Sequence, residues 1–562
     1  MRISSSVSAF TLLGSSLLLS LLAAACSGSD DAATSTSDGG TKDGAVVGGD
    51  DDNDSGSTTT YTVGGTITGL TAAGLTLKNN GADEIAVAAS SIVFTFSTPA
   101  ADGTGYNVTV GTQPTGLTCA VTNGSGTVSG ADVVSVNVAC APASVNMWTW
   151  LGGSKATGAA AVYGTQAVGD AANTPGARYA SASWIGADNS LWFFGGKAGS
   201  GADANLKNDL WKFDGTKWTW ITGAKTADNA GVYGTKGTAA APNTPGARQF
   251  AGSWKDSAGK LWLFGGRGRD GANAVGYLSD VWSTDGAQWT WVAGTNTVAT
   301  AAVYGTKGIA ATANTPGGRF RAVTSSDGST GAWVFGGVTA ANTLQSDLWK
   351  FDGTNWTWIA GPNTANSKGT YGTKGVADAA NVPGARQDAT SWLDAQGYLW
   401  VFGGYGYDSA GTQGELNDLW KFGNGMWTWV AGGNTVNAVA NYGILGVTSA
   451  ANDPGGRADA RGWIDATGNL WLVGGTTQDD KNELNDLWKF DGTNWTWVSG
   501  ANTPNGLGVY GTVGVAGTTA FGSRDSVTLW VDSTGTAWFY GGWGFGETGT
   551  AAILGDLWKY QP

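Results

Sequence analysis

The chain has 562 residues and a formal net charge of −13, with 93 glycines, 30 tryptophans, three cysteines and no histidine. An acidic balance without a basic patch or stripe argues against nucleic acid or anionic lipid as partners. Without imidazole, haem ligation, histidine-ligated zinc and Ser-His-Asp chemistry fall away; calcium held by Asp and backbone carbonyls stays open, but no full calcium-loop pattern is present, and neither metal nor other cofactor is expected.

The first 25 residues read as an export signal: Arg2, an apolar stretch from about Ala9 to Leu22, then Ala23-Ala24-Ala25-Cys26. The stretch is too short and too weakly flanked for a membrane span. It resembles a bacterial lipoprotein signal, with Ala23 where Leu is usual three positions before the cysteine. The resemblance implies that Cys26 carries the lipid and that lipid alone holds the mature chain to a membrane. Ser27 follows Cys26, where an Asp would favour the inner membrane. The expected place is therefore the cell envelope, as an outer-membrane lipoprotein exposed at the surface or in the periplasm. Residues 26–60 are rich in Ser, Thr, Gly and Asp, including the acidic run from Asp50 to Asp54. Such a composition predicts a disordered tether.

Residues 61–142 alternate apolar and polar positions ("SIVFTF", "YNVTV", "VVSVNV") and carry the hairpin signal Asn123-Gly124. The pattern predicts a small β-sandwich. It resembles immunoglobulin-like modules of bacterial surface proteins, which implies a spacer. Cys119 and Cys140 both lie in this segment, and export predicts that they form a disulfide. A metal pair is the poorer reading, because no histidine can join them.

From residue 146 to 562 the chain repeats. Asp-(Leu/Val)-Trp begins at Asp209, Asp280, Asp347, Asp418, Asp486 and Asp556, at intervals of 67 to 71 residues. Gly-Gly pairs begin at Gly195, Gly265, Gly336, Gly403, Gly474 and Gly541. A period this long indicates a propeller or solenoid. Each unit reads as four short strands; in the first they are Arg178 to Trp184, Leu191 to Phe194, Asp209 to Phe213 and Trp218 to Ile221, designated A to D. Trp-Thr-Trp also occurs six times but out of phase: Trp148 to Trp150 precedes the first Asp-Leu-Trp, and none follows Asp556. A ring uses that offset, because the first strand completes the last unit. Strands A to D account for 29 of the 30 tryptophans, expected to pack between blades; only Trp543 has no equivalent in other repeats.

The unit "LWFFGG … NDLWKFDGTKWTW" resembles a kelch repeat, and the array is similar to the central domain of galactose oxidase. The resemblance implies an all-β fold: a six-bladed kelch-type β-propeller closed by an N-terminal outer strand, preceded by the β-sandwich. It does not bring the oxidase activity, because the propeller has neither the histidines nor the cysteine that its copper and cross-linked tyrosine need. Kelch propellers host both enzymes and binding modules, so the fold leaves function open.

Repeated polar residues have two readings. Arg178, Arg248, Arg319, Arg386, Arg457 and Arg524 open strand A and, as a ring at the channel mouth, would bind an anion. The favoured reading is structural: each arginine crosses strand B at its glycines to pair with the aspartate opening strand C, giving Arg178–Asp209, Arg248–Asp280, Arg319–Asp347, Arg386–Asp418, Arg457–Asp486 and Arg524–Asp556. Tyr163, Tyr233, Tyr304, Tyr371, Tyr442 and Tyr510 recur in the long D–A connections as expected anchors.

The B–C loops differ from unit to unit, and recognition residues concentrate in such loops. Candidate ligand-binding residues are Trp543, Phe545 and Glu547; Tyr405, Tyr407 and Asp408; and Arg267, Arg269 and Tyr277, with Asp270 beside them and Asp479, Asp480 and Glu483 in the fifth unit. Aromatic rings beside acids suit a glycan or a protein partner; alternatively the rings fold back on their own loops. The expectation is a non-catalytic, monomeric, surface-anchored binding protein. The competing expectation is a polysaccharide hydrolase or lyase using two carboxylates of this face. A purely structural envelope protein is the third.

Overall fold

The computed structural model describes residues 59–114, 117–142, 147–201, 203–477, 481–517 and 519–562. The signal, Cys26 and nearly all of the tether lie outside the described residues, as do Asp479 and Asp480. No helix occurs among the described residues.

Two four-stranded sheets form from residues 63–142. One contains Val93–Thr95, Val63–Thr68, Val133–Pro142 and Leu117–Thr122; the other contains Asp83–Val87, Leu75–Asn79, Gly105–Thr112 and Ser125–Thr127. Alternation places Leu75, Leu77, Val108, Val136 and Val138 in one shared core, while the intervening polar residues face outward. Cys119 and Cys140 sit opposite each other on neighbouring strands and are joined by a disulfide.

The repeat builds four-stranded antiparallel sheets, and their pattern fits a β-propeller. Sheet 1 has strands A to D at Ala182–Ile185, Leu191–Phe194, Leu210–Phe213 and Trp218–Thr222. Sheet 2 has Gly252–Lys255, Leu261–Phe264, Val281–Thr284 and Trp289–Ala293; sheet 3 has Val323–Ser326, Ala332–Phe335, Leu348–Phe351 and Trp356–Ala360. Sheet 4 has Thr390–Leu393, Leu399–Phe402, Leu419–Gly423 and Met426–Ala431; sheet 5 has Arg461–Ile464, Leu470–Val473, Leu487–Phe490 and Trp495–Ser499. Sheet 6 takes Thr528–Val531, Ala537–Phe545 and Ala551–Gln561 from the end of the chain, and Met147–Ser154 pairs with the last of these, Trp148 opposite Tyr560 and Trp150 opposite Trp558.

Strand A is shorter than the sequence predicts. It begins four residues after the arginine in sheet 1, because Ala180 takes a left-handed conformation (φ 57°) and breaks the ladder. The same break falls at Phe250, Arg321, Asp388, Asp459 and Ser526. Trp543 and Phe545 also lie on a strand rather than in a loop. Gly541 and Gly542, at φ 65° and 105°, form a bulge past which the strand runs on, pairing Trp543 with Ile553.

Neighbouring sheets meet through repeated contacts. The last residue of strand B packs on the first tryptophan of the next strand D: Phe194 on Trp289 at 5.2 Å, Phe264 on Trp356 at 5.0 Å, Phe402 on Trp495 at 5.5 Å. The second glycine of each pair donates its N–H to the carbonyl of the next sheet's arginine, as Gly196 does to Arg248 at 2.9 Å. Both contacts also link sheet 6 to sheet 1, through Tyr540 on Trp218 at 5.3 Å and Gly542 to Arg178 at 3.0 Å.

Candidate functional site

Each repeat fixes one buried polar cluster. Arg178 Nη1 donates to Asp209 Oδ1 at 2.8 Å and to the Gly195 carbonyl at 3.1 Å, while Nη2 donates to Asp209 Oδ2 at 3.0 Å. Tyr163 Oη and Trp211 Nε1 each donate to the same Oδ2 at 2.8 Å. Glycine is required at the crossing: a Cβ on Gly195 would stand 2.8 Å from the Lys207 carbonyl and 2.9 Å from that of Arg248, and its φ is 68°. The other five pairs have the same geometry, from Arg248–Asp280 at 2.7 Å through Arg319–Asp347, Arg386–Asp418 and Arg457–Asp486 to Arg524–Asp556 at 2.7 Å. The six arginines are at most 1% exposed, which leaves no ring of cations for an anion at the mouth. Burial raises Asp209 and Asp556, but their guanidinium partners outweigh it and hold both carboxyls below the usual range.

The B–C candidates have diverse surroundings. Asp408 is buried and is used by its own turn: Oδ1 accepts from the Ala410 and Thr412 N–H groups, and Oδ2 from Val436 N–H. Asp270 caps its turn in the same way. Arg267 bonds Asp203 at 2.7 Å and lies over Tyr277, which stacks on Phe320 at 5.5 Å. Arg269 reaches Asp228 at 3.6 Å. Tyr405 and Tyr407 are half-buried on a short hairpin strand, Tyr405–Tyr407. Phe545 is half-buried, and Glu547 is exposed, 3.9 Å from Lys155. The candidates are therefore not gathered in one cleft. Most are joined to their own or the neighbouring loop.

Trp543 is different. It is 38% exposed and turns its edge to Tyr179 at 6.3 Å. Together with Arg321, Asp459, Glu483, Asp525 and Ser526 the two rings line a well of about 210 Å³. The well adjoins a polar channel of about 350 Å³ lined by the A strands of all six sheets. The left-handed residues meet between the two. Ala180 N–H donates to Ser526, Ser526 to Asp459, Asp459 to Asp388, Asp388 to Arg321, and Phe250 to Ala180, all backbone to backbone. Arg321 Nη1 bonds both Asp388 and Asp459 Oδ2, the latter at 3.1 Å, and its guanidinium lies 4.2 Å over the Phe250 ring. Burial pushes Asp388 well above the usual carboxylate range, against the pull of Arg321, and Asp459 adds to the rise through charge and a shared hydrogen bond. Burial likewise pushes the Tyr179 phenol up to about 12.

Sequence reasoning missed Arg321, Asp388, Asp459 and Asp525. A signal was there: the two residues after the arginine read Tyr-Ala, Gln-Phe, Phe-Arg, Gln-Asp, Ala-Asp and Asp-Ser through the six repeats, while the arginine before them is constant.

No protein-family model matches the chain, and no curated protein sequence matches it. Solved structures similar to it include one titled "Structure of YjhT", 14% identical, covering 69% of this chain and 99% of that one with a TM-score of 0.41.

Proposed function

We propose that the chain is a non-catalytic binding protein whose loop face recognises a glycan at the axial well. The observation that carries this is the exposed indole of Trp543 beside a polar, carboxylate-rich hollow. Sugar faces stack on such rings while carboxylates accept from hydroxyl groups. A protein partner is the other occupant of this reading, engaging the rim around the same tryptophan. The scaffold in this proposal is a monomeric six-bladed propeller of kelch type, closed by Met147–Ser154. Support for it comes from the pairing of that strand with the last strand and from the contacts between sheets 6 and 1. An immunoglobulin-like spacer and a lipid on Cys26, in an outer-membrane lipoprotein, complete the proposal; they rest on the sequence. No cofactor is needed.

A glycan array probed with the protein tests the reading. Wild type is expected to bind, Trp543→Ala to lose binding, and Tyr405→Ala, away from the well, to keep it. Absence of binding to any glycan overturns the glycan reading. The competing reading, a polysaccharide hydrolase or lyase, is favoured by one observation: the carboxyls of Asp388 and Asp459 meet at Arg321 Nη1 beside the channel, and two adjacent carboxyls are what acid–base catalysis uses. It predicts release of reducing ends from a bound polysaccharide, lost in Asp388→Asn.

A further inference from the structure

One position of strand A breaks the repeat inside the polar channel. Four residues after the buried arginine stand Ala182, Gly252, Val323, Thr390 and Thr528 in sheets 1, 2, 3, 4 and 6, but Arg461 in sheet 5. The scaffold does not need a cation here. Thr390 Oγ1 donates to the Ala460 carbonyl of the next unit at 2.8 Å, and Arg461 Nε makes the same bridge one unit on, to the Val527 carbonyl at 2.9 Å. A threonine hydroxyl therefore suffices for the bridge, and the rest of the guanidinium is surplus to it. Among the described residues no carboxylate, carbonyl, hydroxyl or ring face is bonded to Nη1 or Nη2, and neither nitrogen is sealed from solvent. Arg461 itself is half-buried and lines the channel. A charge drawn partly out of water is stabilised by a counter-ion, and two parallel N–H groups match the two oxygens of a carboxylate. The channel's own carboxylates, Asp388 and Asp459, are joined to Arg321 instead. Their charge disfavours a second negative charge on any occupant. The channel's volume of about 350 Å³ stands at the lower end of the roughly 300–1,000 Å³ of ligand cavities, which suits a small molecule.

The geometry points to a site for a small monoanionic carboxylate in the axial channel, its two oxygens accepting from Nη1 and Nη2 of Arg461. The site is separate from the tryptophan-lined well and does not rest on the glycan reading. Chloride offers a single centre to a forked donor, and sulfate brings a second charge toward Asp388 and Asp459.

Equilibrium dialysis of the full chain against labelled acetate at fixed ionic strength tests the site. One acetate is expected per chain, displaced by unlabelled propionate and, at about tenfold higher concentration or more, by chloride or sulfate. Arg461→Thr takes the residue that sheets 4 and 6 carry at this position, so the bridge to the Val527 carbonyl can persist. It is expected to keep the tryptophan fluorescence of the wild type and to lose the acetate. Arg461→Lys, which keeps the charge but not the fork, is expected to bind acetate about tenfold more weakly. Absence of acetate binding to the wild type overturns the proposal. Acetate retained by Arg461→Thr, or bound as tightly by Arg461→Lys as by the wild type, means that the fork of Arg461 does not hold the anion and overturns it too. Displacement by chloride or sulfate as readily as by propionate overturns the carboxylate class.

Discussion

The six buried aspartates show how much one residue can hold. Asp418 takes both nitrogens of the Arg386 fork, the Tyr371 hydroxyl at 2.7 Å and the Trp420 indole N–H at 2.6 Å. Replacing it with Asn would leave a fully buried guanidinium without its counter-charge. Breaking a buried pair from one side costs about 3–5 kcal/mol. Asp418→Asn is therefore expected to lower the urea midpoint markedly, whereas Trp543→Ala at the exposed rim changes stability by less than about 0.5 kcal/mol. Asp388 acts in the opposite sense. Its carboxyl is raised in the folded chain, so its contribution is full below the ordinary carboxylate range. As pH rises, the unfolded chain releases this proton first, and stability falls until the folded group also ionises. Wild type is expected to lose stability relative to Asp388→Asn as pH rises from about 4 toward neutrality, read as the difference in urea midpoints across that range. A constant difference would remove Asp388 as the cause.

At the scale of the strand, sequence and structure agree where the period speaks and diverge where the backbone turns. Strands B, C and D were legible because aromatic and β-branched residues recur in every unit between the same turn signals. The break after each arginine was not, because a left-handed residue such as Phe250 or Arg321 carries no glycine to announce it. That break separates the buried arginine from the channel-lining strand, and it carries Arg321 and Asp459 to the well, with Asp388 bonded to Arg321 beside it. Repeats later in the chain bring these three together, so spacing within one unit could not reveal the cluster. Asp408 and Asp270 misled for another reason: acids flanked by Ser, Ala and Gly looked available, but turn N–H groups take their oxygens. The strand Met147–Ser154 gives a prediction of its own. Trp148 is 4% exposed and stacks on Phe521 at 4.4 Å, with Phe539 and Tyr560 beside it. Trp148→Ala is expected to cost about 3–5 kcal/mol in chemical unfolding, as for a tryptophan removed from a core. A neutral effect would mean that this strand adds little to sheet 6.

Across the whole molecule, in the proposed propeller, near-copies of one sheet surround an axial well whose lining differs from unit to unit. Repetition serves the scaffold: the same arginine pair, the same tryptophan contacts and the same glycine seam recur in each unit. Recognition, in the proposed reading, needs the departures: Trp543 from the sixth sheet, Asp459 and Glu483 from the fifth unit and Arg321 from the third. A ligand held in the grooves between sheets would find several equivalent sites, whereas a ligand held at the axial well finds one. The stoichiometry of binding therefore separates the two arrangements. Titration of the protein with a glycan it retains on the array is expected to give one site per chain, lost in Trp543→Ala. Several equivalent sites per chain, unaffected by that substitution, would place the ligand in the grooves between sheets and not at the axial well.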